Sequence, residues 1–76
     1  MKAISSKSFR KKLGKRIREL RKEHKLSQDQ LAYNCGISRE EVYRIELGYQ
    51  NVSIDILHAI AKEFDVHVKE FFEFEY

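Results

Sequence analysis

Seventy-six residues bound one small domain, and the single cysteine excludes an intramolecular disulfide. Charged residues make up 36% of the chain; no apolar run is long enough to span a bilayer and no signal-peptide core follows the lysine-bearing start, so a cytoplasmic protein is expected. The net charge is only +3, but eleven Lys and Arg against two Glu put +9 on residues 1–26, whereas residues 27–52 carry −2 and residues 53–76 carry −4, so one end is built to meet a polyanion.

Residues 1–7, MKAISSK, show no periodicity and read as a flexible basic arm whose lysines can follow a phosphate backbone. The domain proper is expected over residues 8–76. From Ser8, the expected N-cap, Phe9, Leu13, Ile17 and Leu20 recur at helical spacing, predicting an amphipathic helix that ends near His24. Its other faces are crowded with Lys and Arg. Like charges this dense cost an isolated helix about 0.2–0.5 kcal/mol per i,i+4 pair. Phosphate binding, with Lys15 as a candidate contact, explains them better than solubility.

Residues 27–48, SQDQLAYNCGISREEVYRIELG, organise the chain. Ser27 with Gln30, and Ser38 with Glu41, are two capping boxes that leave room for only about two turns in the first helix, and Gly36 supplies the permissive φ for a sharp reversal. Leu31, Cys35, Ile37, Val42 and Ile45 can share one interior, with the small Ala32 where two helix backbones approach. The outward side of the second helix carries Arg39, Glu40, Tyr43 and Arg44. Such a face can enter a DNA major groove and read base edges, or simply be solvated. Cys35 reads as a small core hydrophobe rather than a reactive thiol.

Tyr49, Gln50, Asn51 and Val52 form a loop by composition. Ser53 then caps a fourth helix with Asp55 in its first turn, and Ile54, Leu57, Ile60, Ala61 and Phe64 give it a buried stripe. Asp65 and Val66 break the pattern, and residues 68–72 offer one last short helix. The architecture expected is all-α, five small helices around one core. Phe71, Phe72, Phe74 and Tyr76 exceed what so small a core absorbs, which points to a symmetric dimer interface with the later part of the fourth helix; the alternative is that Phe71 packs inward and the others lie on the surface.

His24, His58 and His67 are too scattered to make a metal site, no serine or cysteine has an activating motif, and Gly14, Gly36 and Gly48 make no phosphate loop. No cofactor, metal or small-molecule ligand is expected, and catalysis is not.

Across residues 13–72 the sequence resembles the Cro/CI (XRE) type of bacterial helix-turn-helix transcriptional regulator, through LGKRIRELRKEHKLSQDQLAYNCGIS, the Glu46-x-Gly48 signature and SIDILHAIAKEFDVHVKEFF. Gln28, Ala32, Gly36, Val42 and Ile45 fall at the family's positions for a contact glutamine, a small packing residue, the turn glycine and two core aliphatics. The resemblance implies a lambda-repressor-like fold with the helix-turn-helix at helices 2 and 3. It implies a homodimer on double-stranded DNA, most simply a repressor on a palindromic operator. Ser38, Arg39, Glu40, Tyr43 and Arg44 are then expected in or along the major groove. Ser27, Gln28 and the loop residues Tyr49, Gln50 and Asn51 are candidates for phosphate, Gln28 also bracing the recognition helix. Arg21 and Glu46 correspond to a family ion pair. Leu47 and Val52 depart from the pattern, standing where a polar phosphate contact and a proline are frequent. An antitoxin-like protein-interaction module is the rival expectation.

Overall fold

Among the described residues four serines open four α-helices. The computed structural model describes residues 3–75 and contains α1 (Ser6–Glu23), α2 (Gln28–Cys35), α3 (Arg39–Leu47), α4 (Ile54–Phe64) and a 3-10 helix (Val68–Phe72). The hydroxyls of Ser5, Ser27, Ser38 and Ser53 accept from the backbone N–H three residues on, at Ser8, Gln30, Glu41 and Ile56. Each satisfies a donor that the first helical turn leaves without a partner. Both expected capping boxes close: the Gln30 side chain accepts from the Ser27 N–H at 2.8 Å and that of Glu41 from the Ser38 N–H at 3.3 Å.

One boundary and one helix type differ from expectation. Ser5, not Ser8, caps α1, so Ser6 and Lys7 belong to the helix rather than to a mobile arm. Serine favours a cap wherever its hydroxyl reaches a free N–H, and three serines stand in this stretch, so sequence alone does not choose among them. The fifth element is a five-residue 3-10 helix rather than an α-helix. Its side chains dock one aromatic rather than present a long amphipathic stripe.

All four α-helices end on a left-handed residue at or just after their last turn: Lys25 (φ 55°), Gly36 (φ 72°), Gly48 (φ 76°) and Asp65 (φ 54°). Each time the next residue donates back across the turn, as from Leu26 to Arg21, Ile37 to Ala32, Tyr49 to Arg44 and Val66 to Ala61, at 2.8–3.1 Å. These bonds use carbonyls that a helix end would otherwise leave bare and turn the chain sharply.

The core is built from Ile17 and Leu20 of α1, Leu31 and Ala32 of α2, Val42 and Ile45 of α3, Leu57, Ile60, Ala61 and Phe64 of α4, and Phe71 of the 3-10 helix. Helix α1 lies against α3 and the 3-10 helix, and α2 against α3 and α4. Three expected core members differ. Ile54 is 79% exposed, because as the first helical residue of α4 it stands ahead of the turn whose stripe faces inward. Cys35 and Ile37 are only half-buried, at the margin of the core.

Phe71 is fully buried and meets Phe64 edge-on at 6.3 Å, so it is a core residue and not a dimer contact. Burying such a side chain contributes about 1.5–3 kcal/mol, which holds the 3-10 helix in place, assisted by a 2.9 Å hydrogen bond from Arg16 Nε to the Glu70 carbonyl. Phe72 stacks on Phe9 at 5.8 Å and Phe74 meets the same ring edge-on at 5.6 Å, closing the C-terminal segment over the start of α1. The expected contact at Tyr76 lies outside the described residues. No helix among the described residues is long and apolar enough to cross a membrane.

Candidate nucleic-acid interface

The angle between α2 and α3 is set first by the Gly36 turn and then by a polar anchor beneath the pair. Arg21 grips Glu46 with two bonds, Nε to Oε2 at 2.6 Å and Nη2 to Oε1 at 3.1 Å, and donates Nη1 to the Leu26 carbonyl at 2.7 Å. Gln28 Nε2 donates to the same Glu46 Oε1 at 3.1 Å. One carboxylate of α3 is therefore shared by α1 and the first residue of α2, and a third bond reaches the link between them. Arg21 and Glu46 are both buried, yet among the described residues no buried side-chain polar atom lacks a hydrogen-bond partner. A buried pair satisfied in this way contributes geometry more than net stability.

Backbone proximity fixes α1 against the same helix. A methyl group at Gly14 would collide with the carbonyl oxygens of Ile45 and Glu46. One at Gly48 would fall 2.7 Å from Lys11 Cα, so that glycine is required both by its positive φ and by the passage of α1. Arg10 Nε reaches the Gly48 carbonyl at 3.4 Å.

On this frame the outward face of α3 presents Ser38, Arg39, Glu40, Tyr43 and Arg44, all exposed. Gln28, Arg39, Glu40 and Tyr43 line one shallow concavity. A second, adjoining it, is lined by Arg18, Gln28, Tyr43, Glu46 and Leu47. Ser27 and Ser38 cap the starts of α2 and α3, whose N–H groups and positive dipole ends suit an anion. Tyr49 and Asn51 are exposed and Gln50 is half-buried in the loop that follows. Val52, at the position where the resemblance leads one to expect a proline, packs against the core, so apolar contact holds that loop.

The basic residues of α1 divide by face. Arg10, Arg16 and Arg21 are engaged in internal bonds, to Gly48, to Glu70 and Glu19, and to Glu46. Lys15, the expected phosphate contact, shares a groove with Lys12, Arg16, Glu19, Glu73 and Phe74, on the flank of α1 that faces the C-terminal segment. Arg18, which sequence reasoning missed, shares a concavity with Tyr43, Glu46 and Leu47 of α3. Its signal is there in the spacing: Arg18 follows Gly14 by four residues and precedes Arg21 by three, hence lies on the same side of α1 as both. Asp29 was missed as well; its carboxylate lies 3.6 Å from Arg39 Nε.

Elsewhere little chemistry is assembled. Among the described residues no group of three His, Cys, Asp or Glu is placed to hold a metal ion. Burial pushes the Cys35 thiol up from its ordinary range, and the negative charge of Glu63 adds to the effect. The His24 ring stacks on Phe64 at 5.0 Å, with Nδ1 2.8 Å from the Leu20 carbonyl.

The family model described as helix-turn-helix matches residues 17–71. Control protein C.BamHI of Bacillus amyloliquefaciens is 34% identical over 62 residues, covering 80% of this chain and 76% of that protein. The crystal structure of the restriction-modification controller protein C.AhdI from Aeromonas hydrophila matches with a TM-score of 0.78 at 38% identity, covering 80% of this chain and 92% of that one. SinR, a master regulator for biofilm formation solved in complex with DNA, matches with a TM-score of 0.75 at 32% identity, covering 80% of this chain and 98% of that one. On a family match that spans most of the chain and relatives that align over three quarters or more of their length, this protein belongs to the helix-turn-helix transcriptional regulators of the Cro/CI (XRE) type, a family that binds double-stranded DNA.

Proposed function

We propose that this chain is a sequence-specific regulator of transcription that acts as a homodimeric repressor on a palindromic operator, with α3 as the recognition helix. The observation that carries the reading is the shared carboxylate of Glu46. By tying α1, α2 and α3 together it holds an α3 face of hydrogen-bonding side chains at a fixed attitude. Arg39 and Arg44 offer donors for guanine O6 and N7, and Ser38 and Tyr43 reach adjacent edges, sugars or a thymine methyl. Phosphates are met by the N–H groups at the starts of α2 and α3, by Ser27 and Gln28, by Arg18, and by Tyr49, Gln50 and Asn51 in the loop.

The relative SinR was solved with DNA bound, which supports the same use of this fold here. Two recognition helices on successive major grooves lie about 34 Å apart, so the dimer is read out as half-sites one turn apart. Phe72 and Phe74, half-buried on the surface around Phe9, remain the C-terminal aromatics within the described residues that a second copy can meet. Selection of bound duplexes from a random pool tests the proposal. A recovered palindrome with half-site centres one turn apart is expected; an unpatterned pool overturns it. Sedimentation on the selected duplex tests the symmetry separately, and one chain per palindrome overturns the dimer.

A further inference from the structure

Residues 27–52 carry four acidic side chains on the segment that must approach a polyanion. Two have structural employment: Glu41 closes the capping box of α3, and Glu46 is the anchor shared by Arg21 and Gln28. The other two, Asp29 and Glu40, complement the dipoles in the first turns of α2 and α3 but make no cap hydrogen bond; they are exposed and lie on the side of the motif that carries Arg39 and Arg44. Each faces one of those arginines. Asp29 Oδ1 stands 3.6 Å from Arg39 Nε across the junction of α2 and α3, and Glu40 Oε1 accepts from Arg44 Nη2 at 2.5 Å along one turn of α3.

We propose that Asp29 and Glu40 are positioning residues that set base specificity by holding the Arg39 and Arg44 guanidinium groups, rather than by reading bases themselves. The inference rests on α3 being the recognition helix. A guanidinium has five N–H donors in a fixed fork, and a carboxylate on one edge leaves the rest to point elsewhere. The Asp29 carboxylate stands in ion-pair range of Arg39 Nε without a hydrogen bond, so it draws that edge of the guanidinium and leaves both terminal nitrogens for an end-on approach to guanine O6 and N7. With one Nη2 proton given to Glu40, Arg44 keeps Nε, Nη1 and the second Nη2 proton.

A carboxylate beside each arginine also repels phosphate. An arginine without it can swing to the backbone and bind any sequence; with it, the neutral acceptors of a guanine are the better partner. The acids therefore exchange general affinity for discrimination. In water such exposed pairs are weak and screened, but they strengthen when the groove closes over them and excludes solvent.

The test compares the full chain with Glu40→Gln and Asp29→Asn, which keep side-chain shape, and with each change combined with Arg44→Lys or Arg39→Lys respectively. The probes are the duplex enriched from a random pool and a scrambled duplex of the same composition; thermal melts verify that each variant folds. Either single change is expected to tighten binding to the scrambled duplex several-fold and to lower the ratio of matched to scrambled affinity about tenfold, the scale of a misplaced bidentate contact. Neither change should alter base preference once its arginine is already lysine. A loss of cytosine preference from Glu40→Gln that persists in the Arg44→Lys background shows that Glu40 reads a base directly and overturns the inference. So does an unchanged affinity ratio in both single variants. Failure of the unmodified chain to enrich any sequence overturns the proposed function itself, and is told apart because it precedes every variant.

Discussion

Arg21 and Glu46 are where a single side chain matters most. Both are buried, and each has its charge met by the other. Removing one leaves an uncompensated charge in a low-dielectric setting, so Arg21→Met is expected to cost about 3–5 kcal/mol in urea denaturation, enough to threaten a domain of this size. Replacing both, as Arg21→Met with Glu46→Met, should recover most of that stability. DNA affinity should stay low, however, because Gln28 then has lost the acceptor that fixes it against α3. Full recovery of binding in the double variant would show that the pair has no role in orienting the motif. Cys35 makes a second prediction at this scale. Burial, followed by the negative charge of Glu63, disfavours its thiolate, so alkylation of the folded protein at pH 7.5 should run slower than that of the urea-unfolded chain. Equal rates would contradict the burial.

At the scale of elements, glycine decides how α1 meets α3. Intrinsic propensity says that Gly14→Ala, in the interior of an 18-residue helix, should stabilise by about 1 kcal/mol. The packing predicts the opposite sign, since the added methyl strikes the Ile45 and Glu46 carbonyls and must push two helices apart. A net loss of about 1–3 kcal/mol is expected. Gly36→Ala is the control: nothing lies within 4 Å of its new methyl, so only the left-handed backbone contributes, at about 1–2 kcal/mol. Chemical denaturation of the two variants separates steric from conformational cost, and a stabilised Gly14→Ala would mean that α1 sits further from α3 than those carbonyl contacts require. The capping serines belong to this scale too. All four helices begin on one, and both boxes of the helix-turn-helix are complete, which is why such short elements hold their limits.

For the molecule as a whole, the charge gradient along the chain becomes a division between faces. Of the cations on α1, Arg18 borders the recognition surface, whereas Lys15 lies toward Glu73 and Phe74. Arg18→Ala should therefore weaken matched and scrambled duplexes alike and reduce the slope of log affinity against log salt by about 1. Lys15→Ala should change that slope less, and Arg39→Ala should instead relax preference at one base position by about 1–3 kcal/mol. Titrations at several salt concentrations check all three. A larger slope change for Lys15 than for Arg18 would reverse the assignment of the DNA-facing side of α1.

Much of this organisation is written locally. Serine followed three residues later by Gln or Glu favours a helix start, as at Ser27 and Ser38, glycine at the end of a turn permits a left-handed residue, and the spacing of Leu31, Val42 and Ile45 already implies a buried side. The helix-turn-helix and its outward residues are accordingly legible in the sequence by itself, and the partnership of Arg21 with Glu46 is legible through the family resemblance. What the tertiary structure alone decided depends on distances between residues far apart in sequence. It withdrew Phe71 into the core against Phe64 and left Ile54 in solvent. It gave Phe72 and Phe74 the ring of Phe9 as a partner, and assigned three arginines of α1 to internal bonds. Periodicity reports which side of a helix is apolar, but an aromatic or a cation at the edge of that side acquires its role only from the neighbour that packing brings to it.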